Sequence, residues 1–229
     1  ELVKVYARHD APLFVQYLNE AGDSREWQKQ RRPPDWWAIW TSRWREGARQ
    51  IVEQGAMAVL PDGPCFPRSP FPDCTRGIES LFEDGWIAYG GHYYALNRPL
   101  DFPYDDAQRL GTQMTEAQYL AALDDFADDQ AWHDPPLDLL NAERGAKANP
   151  ALTPIEDDVC WRGWQKVEWW MERDLGFYIP HLQTEGGVTP KARAGVTPET
   201  KELRYVLPTP KVVAERTLEM YETHSPLMA

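Results

Sequence analysis

Gly85-Trp-Ile-Ala-Tyr-Gly-Gly-His-Tyr-Tyr-Ala-Leu96 is the best strand candidate in the chain, and the way it is read decides the fold. Aromatic and branched residues lie on both sides of Gly90-Gly91, the composition of two short strands joined by a tight turn. Read so, it is one small β-hairpin at about 85–96 with no other strand to join. The fold class is then mainly α: an irregular helical protein with long Pro-rich extended segments.

The flanking sequence reads as helices. Leu13 to Leu18 is apolar and ends near Gly22, and Asp23 with Glu26 makes a capping pattern for a short polar helix into Arg31-Arg32. Pro33-Pro34 break it. Trp37, Trp40, Trp44, Ala48 and Ile51 then fall at helical spacing and draw one tryptophan-rich stripe. Further on, Thr115 and Gln118 form a capping box before Tyr119, Leu120, Leu123 and Phe126. Thr153, Pro154 and Glu156 satisfy three helix-start rules together, and Gly176 is placed to stop that helix. Its core face is Cys160, Trp164, Val167, Met171 and Leu175. Thr209-Pro210 opens a last helix.

The 20 prolines punctuate this pattern, since each removes a backbone donor and fixes φ. They divide the chain into a helical region (1–60), a Pro-rich loop with the hairpin (61–112), a second helical region (113–179) and an extended C-terminal arm with its terminal helix (180–229). Within the arm Gly187-Val-Thr-Pro190 recurs as Gly195-Val-Thr-Pro198, a local echo too short for a solenoid.

Hydrophobic residues at 42 % are enough for a real core. A net charge of −12 argues against a nucleic-acid partner, which needs a basic face to release counterions. No apolar run reaches the about 18 residues of a membrane span, so any membrane association would be peripheral, through a complex. The chain starts at Glu1, as a mature form with its targeting segment removed would, and a mitochondrial setting is the expectation.

No cofactor fingerprint emerges, and no catalytic residues are assigned. Asp125, Asp129 and His133 share one helix face and are a weak metal candidate, with a solvated acidic face the plainer reading. His92, beside Gly90-Gly91, has no recognisable partner in sequence and reads as a structural turn histidine. Glu168 and Glu172 share a face but read as solvent-facing acids. Cys65 and Cys74 flank a Pro-rich loop that could close as a disulfide, although reduced thiols fit equally well.

Eight of the eleven tryptophans fall in two helical stretches. Trp36, Trp161, Trp169 and Trp170 lie off the core stripes and are the expected partner-binding residues. The function expected on this basis is a non-catalytic accessory subunit that wraps other protein subunits of a larger assembly of respiratory-chain type. The alternative is a stand-alone enzyme or carbohydrate-binding module with a Trp-rich ligand platform.

Overall fold

The stretch from Ile87 to Leu96 is a single strand. The computed structural model describes residues 12–20, 22, 23, 27, 32–62, 66–123, 136–188, 204–226 and 228. Four strands, β1 (Phe14–Gln16), β2 (Met57–Pro61), β3 (Ile87–Leu96) and β4 (His181–Val188), form one curled parallel sheet in the order β1-β2-β3-β4. The protein is therefore α/β, which corrects the mainly α, hairpin-only expectation. Phe14 pairs with Met57 and Gln16 with Val59; Ala58 pairs with Ile87 and Pro61 with Gly90.

Parallel strands escape a periodicity reading because both their faces are buried. Met57–Pro61 has no polar alternation, and its last four residues are buried. Such a run cannot be told from buried helix by pattern alone, which is why Leu13 to Leu18 reads as a helix yet supplies β1. Gly90 is not a turn residue either. A Cβ there would lie 2.7 Å from Val59 Cγ1, 3.0 Å from Thr184 Cγ2 and 3.1 Å from Gln16 Oε1. The glycine lets neighbouring groups close in on the strand backbone.

Contacts divide the chain into two units, one of Glu1–His92, Val167–Glu185 and Ser225–Ala229, the other of Tyr93–Lys166 and Gly186–His224. In the first, helix α1 (Trp36–Glu53) is the crossover that parallel β1 and β2 require. It buries Trp40, Trp44 and Ala48, the middle of the expected stripe, together with Thr41 beside it. Trp44 is fully buried, donates from Nε1 to the Val59 carbonyl at 3.3 Å and packs 6.0 Å from Phe82. Two short helices, α2 (Phe71–Cys74) and α3 (Glu79–Glu83), bury Phe71 and Phe82 on the way to β3.

The remaining helices are α4 (Asp106–Arg109), α5 (Glu116–Leu123), α6 (Leu137–Ala146), α7 (Trp164–Asp174) and α8 (Pro210–Glu222). In the second unit Phe102, Ala107, Cys160 and Tyr205 form a core cluster with Leu152 against it. The Thr115–Gln118 box caps α5, and Thr209 accepts from Val212 N at the start of α8, both as expected. At Thr153 only half of the box forms: Thr153 N donates to Glu156 Oε2 at 2.8 Å, the Glu156 N–H goes to the Thr153 carbonyl, and only one turn follows. Asp157 takes the Val159 N–H at 3.2 Å and an Arg98 N–H at 3.0 Å, so its side chain competes with the helix. Regular helix begins only after the 3₁₀ turn Trp161–Gly163, and Gly176, at φ 77°, follows its end as expected. No helix among the described residues is long and apolar enough to cross a membrane.

Candidate active site

In a parallel sheet all strands end on one side, and the segments that follow them converge there; in α/β proteins this is the side that binds ligands. Four titratable side chains meet on that side of the first unit. Glu20 comes from the segment after β1, Asp62 directly follows β2, His92 lies just past the last β2–β3 pair, and Glu185 lies in β4.

His92 is at their centre, with its side chain fully buried. Its Nδ1 is 2.7 Å from Glu20 Oε1 and its Nε2 is 3.7 Å from Glu185 Oε1. Its backbone N–H donates to Asp62 Oδ2 at 3.4 Å. Asp62 is itself buried: Oδ1 accepts from Tyr89 OH at 2.7 Å, and its own N–H donates to the Gly90 carbonyl at 2.7 Å. Asp62 thus ties β2 to β3 and holds the backbone of His92. The glutamates differ in access, Glu20 being 13 % and Glu185 37 % exposed. Glu185 is the carboxylate a ligand can reach.

Burial alone would discharge His92. The hydrogen bond to Glu20 and the charges of Glu185, Asp62 and Glu20 outweigh it and raise the pKa above the usual histidine value. His181, at the start of β4, is the contrast. It is buried 5.5 Å from the Tyr89 ring, edge to face, and burial drives its pKa down to about 3. One histidine of the sheet is built to hold a proton, the other to stay neutral.

Glu20, His92 and Glu185 each offer a ligand atom within 4.8 Å of the others, so a cation could seat among them. Nδ1 is already bound to Glu20, however, which leaves an ion Nε2 and Glu185, with Glu20 behind the imidazole as an orienting carboxylate. That is fewer than the about three protein ligands of a catalytic zinc site. Proton exchange suits the geometry better.

The same side of the sheet carries an aromatic ladder. Because α1 runs back between two parallel strands, its first turn lies at their carboxyl ends, as does Phe66, soon after β2. Trp37 stacks on Trp40 at 5.5 Å, Trp36 meets Trp37 edge-on at 5.5 Å, and Phe66 is 5.1 Å from Trp37 and 5.0 Å from Trp40. Trp37 Nε1 donates to Asp73 Oδ2 at 2.7 Å, and Arg68 and Arg76 pair with the same carboxylate.

Of the four tryptophans expected to bind a partner, Trp161 and Trp170 are buried within the chain, Trp36 is half-buried with Arg32 4.6 Å over its ring, and Trp169 is exposed under Arg173. Asp125, Asp129, His133 and Cys65 lie outside the described residues. Cys74 is a buried free thiol whose pKa burial raises, and Cys160 is pushed up to about 12, so neither is an activated nucleophile. Glu168 accepts from the Ser225 hydroxyl and is half-buried, while Glu172 is exposed; they form no catalytic pair. His92, expected to be a partnerless turn residue, is a strand residue with three acidic neighbours. The sequence signal for those acids, a carboxylate at or near the end of a strand, exists only once the strands are recognised.

No family model, curated protein or solved structure matches this chain.

Proposed function

We propose that this chain is a hydrolytic enzyme that works by acid–base catalysis at the carboxyl ends of β1 to β4, with glycosides as its substrate class. The observation that carries the reading is the placement of buried His92 between Glu20 and the accessible Glu185. Imidazole with one nitrogen on an orienting carboxylate and the other facing a reachable acid is a proton store beside a proton donor. In this reading Glu20 fixes the orientation of His92 and balances its charge; the Glu185 carboxylate takes the His92 proton and passes it to the leaving oxygen, and the proton released by the entering water returns through Glu185 to His92.

Two features support a glycoside. Two acids, Glu20 and Glu185, stand on either side of the imidazole with ligand atoms within 4.8 Å of one another, and carboxyl groups are the usual proton carriers of glycoside hydrolysis. The aromatic ladder on the same side has partly exposed rings in Trp36, Trp37 and Phe66, and sugar rings stack on such apolar surfaces. This reading takes up the enzyme alternative, not the accessory-subunit expectation, because a charged, buried and mutually oriented cluster is costly to maintain as scaffolding.

A panel of chromogenic aryl glycosides, run beside aryl esters and aryl phosphates, tests the reading. Hydrolysis of at least one glycoside, lost in Glu185→Gln, is the expected result. Turnover of esters or phosphates alone would move the substrate class, and turnover of none would defeat the proposal.

A further inference from the structure

The second unit carries a cavity that the acid–base site does not use. It has a volume of about 370 Å³; Ala107, Met114 and Val206 give it an apolar wall, and Arg144 and Arg216 bring two guanidinium groups to it.

These arginines are half-buried, and their hydrogen bonds go to backbone carbonyls. Arg144, on α6, donates from Nε to the Arg204 carbonyl at 2.6 Å and from Nη1 to the Thr112 carbonyl at 2.8 Å. Arg216, on α8, donates from Nη1 to the Arg98 carbonyl at 3.0 Å. Neither forms an ion pair among the described residues. Asp105 and Asp106 also line the cavity, but Asp105 is already engaged: both its oxygens accept from Tyr205 OH at 3.0 Å, and one accepts from Gln108 N at 3.0 Å. Asp105 acts on Arg144, and Asp101 and Glu219 act on Arg216, only from beyond ion-pair distance. Burial therefore lowers the pKa of both arginines without a contacting anion to offset it.

A partly desolvated cation is stabilised by a contacting anion, and the fork of a guanidinium matches the paired oxygens of a carboxylate or phosphate. Backbone carbonyls occupy only one or two of about five N–H donors in each fork. We infer that this cavity binds a small organic anion, its carboxylate or phosphate held by Arg144 and Arg216 and its apolar part against Met114 and Val206.

Isothermal titration of the whole chain with succinate and, separately, inorganic phosphate tests this. The expected result is saturable binding of at least one anion, weakened about tenfold or more in Arg216→Gln. Arg76→Gln, an exposed arginine of the first unit, should bind as wild type. The anion that binds distinguishes the two headgroups. Binding of neither, or unchanged binding in Arg216→Gln, overturns the inference. Should that variant misfold, phenylglyoxal labelling of the unaltered protein decides. Protection of Arg144 and Arg216 by either anion, read by peptide mass, is expected; equal labelling with and without anion overturns the inference.

Discussion

His92 and Glu20, 72 residues apart in sequence, are joined by a 2.7 Å contact between Nδ1 and Oε1. That contact fixes which imidazole nitrogen faces the protein and which faces Glu185. It also offsets the burial that would otherwise strip the ring of its proton.

Glu20→Gln should therefore lower the His92 pKa. The substitution keeps the side-chain length and removes the negative charge. Imidazole resonances followed against pH by NMR should titrate at lower pH in the variant than in wild type. An unchanged titration would mean that Glu20 does not set the charge of His92.

Tyr89→Phe should destabilise the first unit. It removes only the hydroxyl that donates to Asp62 at 2.7 Å and leaves a buried carboxylate short of a donor. Such a loss costs about 1–3 kcal/mol, read as a lower urea midpoint at unchanged slope. Activity should fall too, because Asp62 holds the backbone of His92.

Gly90→Ala should cost about 1–3 kcal/mol through overpacking. Its Cβ would lie 3.0 Å from Thr184 and 2.7 Å from Val59, a buried branched side chain with little room to yield. Gly85→Ala is a different test, since nothing lies within 4 Å of a Cβ there and the cost comes from its φ of +77° alone. The crowded site should lose activity along with stability, while the open one should lose stability only.

Acid should unfold the protein partly through His181. Its folded pKa of about 3 lies below the unfolded value of about 6.5, so the unfolded state binds the proton first. Its contribution is intact above about pH 6.5 and is lost as pH falls toward 3, at up to about 1.4 kcal/mol per pH unit. His92 has the opposite sign: with its pKa raised, its contribution is complete below about 6.5 and lost as pH rises through the folded value. Urea midpoints between pH 7 and 4 should fall less steeply in His181→Gln than in wild type.

What was legible in the sequence was local. The Trp37-to-Ile51 stripe, the box at Thr115, the helix start at Thr209 and the stop at Gly176 need only neighbouring residues, and the structure contains each of them. The sheet was not legible: β2 is buried along its last four residues and shows neither strand nor helix period, and β3, although it reads as strand, reads as two short strands about Gly90-Gly91 with no partner to join. The site followed the sheet. Glu20, Asp62 and Glu185 look like loop acids until parallel pairing brings their strand ends together, and Gly90-Gly91 reads as a turn until Val59 and Thr184 are seen against it.

The most direct test of the account is the rate of Glu185→Gln on whichever glycoside the wild type turns over, with circular dichroism confirming the fold. Removing a general acid should lower kcat by about 10²–10⁴-fold, while Glu172→Gln, an exposed acid outside the site, should match wild type. A folded Glu185→Gln protein that retains wild-type kcat would contradict the assignment of the Glu20–His92–Glu185 cluster as the active site.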